Sequence, residues 1–272
     1  MTDAPDNAPK AADERYMVPG LARGLAMLEA FAAGKPSLSL AELARAVGLT
    51  RSSAFRLAYT LAELGYLKRD AASKTYQLGP RVLGLGFAFL QSLELVEVAR
   101  PHLEALRDRT QCSAHLAVLD GVEIVYVARH ADQKALTSRI QVGSRLPAHA
   151  TSMGRAILSQ FSTEEVRARF GEAPLDAFSA VTATSIDDLV AQLAKDRARG
   201  CILSRSNFEP GIASVAAPVF DASGAVAAAI NITTPESTLS GDDLETGIKD
   251  AVIETAAAIS EWLGHRGARR SA

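Results

Sequence analysis

The apolar positions of this chain change their period several times, and each change marks a new element. In VPGLARGLAMLEAFAAG, Leu21, Leu25, Leu28 and Ala32 recur at helical spacing until Gly34 stops the run. After Lys35-Pro36, Leu40, Leu43, Ala44 and Val47 form a second helical face, opened by Ser39 and Glu42 at the spacing of a capping box. Gly48-Leu49 breaks that helix, and Thr50 caps a third, RSSAFRLAYTLAELG, with Ala54, Leu57, Ala58 and Leu61 facing inward. Past Gly65, YLKRD and KTYQL read as two short strands around a turn at 70–73. PRVLGLGFAFLQ is then apolar on nearly every side, which requires burial against something.

The second half of the chain mixes both periods. LELVEVARPHLEALRDRT predicts an amphipathic helix that Pro101 bends or divides. SAHLAVLDGVEIVYVARH predicts a hairpin turning at Asp120-Gly121, and a strand is expected over 135–141. Helices follow over 163–170 and 185–200. Strands over 213–220 and 225–234 flank the turn at 221–224, and a long helix over 240–263 closes the chain with Trp262 near its end. This order predicts an α+β protein in which an antiparallel sheet lies between helices. The expected organisation is a polar lead-in (1–16), a helix-rich module (17–79), a linker helix (80–92), a larger α+β domain (93–265) and a frayed tail (266–272).

Charge sharpens the picture of the first module. The chain as a whole carries a net charge of -2, but residues 17–81 hold nine Lys/Arg against four Asp/Glu. Two short helices joined by a Gly-containing turn, followed by a basic hairpin, make the winged helix-turn-helix pattern. The outward side of the third helix offers Ser52, Arg56 and Tyr59, with Thr50, Arg51 and Ser53 at its start. Small donors and guanidinium groups suit base edges and flanking phosphates in a major groove. Lys68, Arg69 and Lys74 on the hairpin are placed to reach the backbone of double-stranded DNA.

Several motifs are weighed and set aside. GLGFAF lacks the third glycine of a dinucleotide loop, and it follows a basic hairpin. No nucleophile elbow, zinc-binding His pair or complete phosphate loop occurs, so no enzyme is expected and no metal or cofactor. The five histidines are scattered; His149, beside RLPAHATSMGRAIL, is the one worth watching. Cys112 and Cys201 match no metal-ligand spacing and are expected as reduced, buried thiols. With no signal peptide and no membrane-length apolar run, a cytoplasmic location is expected.

LARGLAMLEAF, SLAELARAVGLTRSSAFRLAYTLAELGYL and YQLGPRVLGLG resemble the winged helix and linker of the IclR family of bacterial transcription regulators. RLPAHATSMGRAIL and EPGIASVAAPVFDASGAVAAAINIT are similar to that family's effector-domain signatures. The resemblance implies a ligand-sensing domain related to profilin and GAF folds, and a linker helix that packs in a homodimer or homotetramer. It implies a pocket for a small organic acid effector lined by Leu146, Ser152, Met153, Ser204, Ser214, Asn231 and Thr233. The helix start at Thr151, Ser152 and Gly154 would seat the carboxylate on free backbone N–H groups, its small residues leaving room for an anion. The wording TSMGRAIL resembles the subgroup controlling aromatic-acid catabolism, which implies a benzoate-type ligand. Some relatives have an acidic residue near Ser204 where this chain reads Ser-Arg-Ser-Asn, which argues against a glyoxylate-like acid. Arg139 is expected as a surface arginine. Two rivals remain: a ligand-independent architectural DNA binder and, behind it, an enzyme acting on a small acid in the C-terminal domain.

Overall fold

The computed structural model describes residues 16–132, 140–239, 244 and 247–266, with Ala33 described by its backbone alone. The expected lead-in up to residue 15, Arg139, most of the 135–141 strand, the start of the closing helix and the tail from 267 lie outside the described residues. The chain divides into two compact units that part between Ser92 and Leu93.

The N-terminal unit holds α1 (Pro19–Glu29), β1 (Leu38–Ser39), α2 (Leu40–Ala46), α3 (Arg51–Glu63), β2 (Leu67–Arg69), β3 (Thr75–Leu78) and α4 (Arg81–Ser92). Gly34 ends the first helical run in the left-handed region, at φ 85°. The capping box forms as its spacing requires: Ser39 N–H donates to Glu42 Oε2 at 2.9 Å and Glu42 N–H to Ser39 Oγ at 3.3 Å. The Ser39 N–H, then Lys35 and the Ser39 hydroxyl, all donating to it, hold the Glu42 carboxyl pKa at about 2. The core joins Met27, Phe31, Leu43, Ala54, Ala58 and Tyr76. The strands form an antiparallel sheet in the order β1-β3-β2. At two residues, β1 is too short to leave a periodic signal.

The expected buried face of α1 is corrected. Leu21 and Leu25 stand 63% and 52% exposed, while Gly24 and Met27 are buried. Residues 24, 27, 28 and 31 share the same i, i+3, i+4, i+7 spacing, so periodicity allowed two faces and packing chose the other. No residue of α4 is buried within the chain: Leu83, Leu85, Phe87 and Phe89 are all exposed.

The C-terminal unit is a three-layer sandwich. Six antiparallel strands run in the order β6-β5-β4-β9-β8-β7. They are β4 (Ser113–Asp120), β5 (Glu123–His130), β6 (Arg145–Pro147), β7 (Ile202–Arg205), β8 (Ile212–Phe220) and β9 (Val226–Pro235). On one face lie α6 (Ser152–Leu158), α7 (Thr163–Phe170) and α8 (Ile186–Arg199), packed through Met153, Ile157, Leu158, Val166, Leu189 and Leu193. On the other lie α5 (Glu94–Thr110) and α9 (Gly247–Trp262). Pro101 does not divide α5, which runs through it as one helix. The hairpin turn falls on Gly121 and Val122, one residue beyond the expected place, because Asp120 still pairs with Glu123. Gly121, at φ 61°, supplies the left-handed turn residue.

Candidate functional site

Two regions of the chain present chemistry, one in each unit. In the N-terminal unit, α3 starts from Thr50, whose Oγ1 accepts the Ser53 N–H at 3.4 Å and donates to Ser53 Oγ at 3.1 Å. This cap occupies the hydroxyl of Ser53 and brings Ser52 Oγ within 3.2 Å of Thr50 Oγ1. Thr50, Arg51, Ser52, Ser53, Arg56 and Tyr59 are all exposed, opposite the buried Ala54 and Ala58. Phe55 shares the exposed surface, its ring centroid 6.2 Å from that of Tyr59. Sequence reading passed over it, since an apolar residue outside the core stripe carries no mark of its own.

The wing is fixed by Asp70, whose Oδ1 accepts from Ala72 N–H at 2.8 Å and Ser73 N–H at 3.1 Å. Those backbone bonds hold the Asp70 carboxyl below the usual carboxylate range. Lys74 follows at φ 56°, a left-handed position that throws the chain back into β3. Lys68, Arg69 and Lys74 are exposed. Among the described residues, none of Arg51, Arg56, Lys68, Arg69 and Lys74 forms a salt bridge, so their charge is available to an external polyanion.

The C-terminal unit places a row of hydroxyls across its sheet. Ser113 pairs with Thr233, Thr233 with Ser214, and Ser214 with Ser204, so one residue from each of β4, β9, β8 and β7 points to the face under α6. Side chains two residues apart share a face, so the next row puts His115 beside Asn231. The hydroxyl row lines a cavity of about 90 Å³, bordered also by Thr151, which caps α6, by Ser152 and by Tyr126, Ile140 and Leu146. Its far wall is Asn207, Phe208 and Glu209, in the turn between β7 and β8.

Polar contacts thread this site. Ser152 Oγ and Ser214 Oγ lie 2.7 Å apart. Asn231 Nδ2 donates toward both, at 3.3 and 3.1 Å. Its Oδ1 lies 3.0 Å from His115 Nδ1. His115 is fully buried, and desolvation of the charged ring pulls its pKa down to about 4. Tyr126 meets the His115 ring edge-on at 5.6 Å between centroids. Burial first, and the charge of Glu209 second, push the Tyr126 phenol above its ordinary value, so it stays a neutral donor. On α6, the buried Arg155 makes two hydrogen bonds to the equally buried Asp196 of α8, at 2.8 and 2.7 Å. A third guanidinium nitrogen lies 2.9 Å from the Asn207 amide, whose hydrogen bonds to Arg155 and to the Arg205 carbonyl are both satisfied with its oxygen turned to Arg155, linking that buried pair to the cavity wall.

Of the seven residues expected around a ligand, Leu146, Ser152, Ser204, Ser214, Asn231 and Thr233 meet in this one cavity. Met153 does not. It is wholly buried in the core, because one step along a helix turns a side chain by about 100° away from Ser152. Gly154 is also corrected. A Cβ there would stand 2.2 Å from the Ala148 carbonyl oxygen, so glycine admits the 148 backbone rather than an anion. The Gly154 N–H is taken by Thr151 Oγ1 at 3.3 Å, which narrows the expected helix-end seat. Tyr126, Phe208 and Ser113 were missed. Ser113 and Tyr126 are ordinary strand residues that the sheet register brings to the cavity, and Phe208 reaches it from the turn between β7 and β8.

His149 is held in the structure itself: its Nε2 lies 3.0 Å from the Asp176 carbonyl oxygen, and its ring packs against Phe170 and Phe178. Among the described residues, no group of three or more His, Cys, Asp or Glu side chains is placed to hold a metal ion. Cys112 and Cys201 are buried and unpaired with each other, their thiols raised by burial. Among the described residues, no single helix is long and apolar enough to cross a membrane.

Comparison with known proteins places both regions. Residues 20–71 match the model of the IclR helix-turn-helix domain, and residues 87–261 match that of the bacterial transcriptional regulator IclR C-terminal domain. The Pca regulon regulatory protein of Pseudomonas putida is 38% identical over 226 residues, covering 83% of this chain and 77% of its own. A crystal structure from Rhodococcus sp. RHA1 superposes with a TM-score of 0.78 at 40% identity, covering 91% of this chain and 98% of its own. An IclR homologue from Microbacterium hydrocarbonoxydans, solved in complex with 4-hydroxybenzoate, gives 0.77 at 26% identity, with 90% and 98% covered.

Proposed function

This chain belongs to the IclR family of bacterial transcription regulators, and from that premise we propose that it reports a small aromatic carboxylic acid to its operator. The coarse function is that of a regulator with a DNA-binding helix-turn-helix domain and an effector-binding domain; it is not an enzyme. The observation that carries the finer reading is the composition of the cavity. A row of hydroxyls and the Asn231 amide share the cavity with the aromatic side chains of Tyr126 and Phe208, a pairing suited to a ring with a polar head. A cavity of about 90 Å³ favours a compact ligand over a long-chain or multi-ring one. The Pseudomonas and Microbacterium relatives point the same way.

On this reading Arg51, Ser52, Ser53, Arg56 and Tyr59 meet the major groove, Thr50 sets the helix start, and Lys68, Arg69 and Lys74 meet the phosphates. The regulator works as a homodimer or a larger homo-oligomer. Leu83, Leu85, Phe87 and Phe89 on α4, with Leu21 and Leu25 on α1, are exposed apolar groups that a second copy would cover. Ligand binding changes DNA affinity only as far as the acid prefers one arrangement of the reading heads.

The test is fluorescence anisotropy of the full chain on labelled DNA from upstream of its own gene, at fixed salt. Benzoate, hydroxybenzoates, protocatechuate, phenylacetates and short keto acids are added in turn. An aromatic acid that shifts the binding curve supports the reading. A shift by short keto acids alone refutes the ligand class, and tight binding that no acid moves turns the protein into the ligand-independent DNA binder.

A further inference from the structure

We infer that His115, which does not border the cavity, sets the hydrogen-bond polarity of the pocket and makes it a reader of acceptor groups such as carboxylates. The inference rests on the effector pocket proposed above and concerns how that pocket is wired. Four side chains form a buried line: Ser152 and Ser214 at 2.7 Å, Asn231 Nδ2 at 3.3 and 3.1 Å from their oxygens, and Asn231 Oδ1 at 3.0 Å from His115 Nδ1. All four residues are buried.

Only two arrangements of hydrogens fit these contacts. In the first, His115 carries its proton on Nδ1 and donates it to Asn231 Oδ1. The amide nitrogen then donates toward both serine oxygens, which are too close together to take one hydrogen each, so one N–H is shared. One serine hydroxyl closes the 2.7 Å contact, and the other keeps its hydrogen for the cavity. In the second, His115 carries its proton on Nε2, the Asn231 amide is reversed, and the serine hydroxyls run back to its oxygen. The serines then offer lone pairs, and the cavity reads donors. The two wirings have opposite signs at the ligand.

The surroundings of His115 choose between them. Its Nε2 is buried and has no hydrogen-bond partner among the described residues. A proton there would be an orphaned buried donor, which folded proteins rarely tolerate, whereas an unpaired acceptor lone pair costs less. The Nδ1–H form is therefore favoured, and with it the donating hydroxyl. Desolvation keeps the ring neutral, with its pKa at about 4, so the wiring holds across the neutral range. His115 is a positioning residue: it acts on the ligand only through Asn231.

Two measurements test this. The first is ¹⁵N NMR of the histidine-labelled, ligand-free full chain, which reads the His115 tautomer without any effector. A proton on Nδ1 is expected; a proton on Nε2, or a charged ring at neutral pH, overturns the inference. The second is calorimetry with 4-hydroxybenzoate and with 4-hydroxybenzylamine, whose head group is a donor. His115→Asn keeps an N–H near the Nδ1 position and is expected to hold the acid within a few-fold of the unaltered protein. His115→Leu removes it and is expected to weaken the acid about tenfold or more, while the amine loses nothing. Equal loss of both ligands, or no rescue by His115→Asn, would mean that His115 is structural packing only. If the unaltered chain binds no acid at all, the proposed function fails, and the tautomer alone still decides whether the wiring is right.

Discussion

The Arg155–Asp196 pair allows a stability prediction whose size follows from its burial. Both side chains are almost fully enclosed, at 6% and 3% exposure, and they meet through two parallel bonds. Gln192 adds a third contact to Asp196 at 3.1 Å. Asp196→Leu would leave the guanidinium in the interior with only the neutral Asn207 oxygen to face. Removing one partner of such a pair costs about 3–5 kcal/mol, against about 0–1 kcal/mol for an exposed ion pair. For a domain of this size each kcal/mol lowers Tm by roughly 2–4 °C, so a fall of about 6–20 °C is expected. The double variant Arg155→Met, Asp196→Leu has no charge left to desolvate, and it is expected to recover to within about 1 kcal/mol of the unaltered protein. Hydrogen exchange of α6 and α8 peptides as a function of urea reads the local stability without interference from the DNA-binding unit. A single-variant loss below about 1 kcal/mol, or a double variant worse than the single one, would show that water reaches the pair and would remove it as the anchor of α6.

Other expectations concern the two faces and their pH response. Arg56→Ala is expected to weaken operator binding by roughly 1–3 kcal/mol and relax preference at one base pair, as read by anisotropy on operator variants; unchanged affinity would take Arg56 off the reading face. Lys74→Ala is expected to lower affinity for all sequences alike and to reduce the salt slope by about one; a loss confined to one sequence would contradict the wing assignment. Gly154→Ala forces the Ala148 backbone away from α6, so it is expected to destabilise the unit by about 1–3 kcal/mol and to weaken acid binding by displacing Ser152, both measurable by melting and calorimetry. His115, held at about 4 against an ordinary 6.5, makes the unfolded chain bind more protons than the folded one between those values. Stability from this group is complete above about pH 6.5 and falls by about 3 kcal/mol as pH drops toward 4. His115→Asn should abolish that part of the acid-limb slope in urea titrations.

Much of this molecule was legible in its sequence because local rules dictate local structure. The capping box at Ser39 and Glu42, the Thr50 cap, the helix over Thr163–Phe170 and the turn at 221–224 each depend on residues within four positions of one another. Such signals survive without tertiary context. The outward basic side of α3 follows in the same way, since the core stripe of a helix defines its opposite face.

Tertiary structure decided whatever depended on partners distant in the chain. Periodicity alone left two possible buried faces for α1, and only packing against α2 and α3 selected Gly24 and Met27 over Leu21 and Leu25. The role of Gly154 changed from room for an anion to room for the Ala148 backbone, a contact that no spacing rule records. The hydroxyl row needs the register of four strands that lie up to 120 residues apart in the chain, as Ser113 and Thr233 do. A shift of one residue in any of those pairings would turn its hydroxyl to the opposite face of the sheet. The sequence by itself therefore determined most of the elements and their caps, whereas sheet register together with the packing of α6 on the sheet brought His115, Asn231, Ser152 and Ser214 into one line.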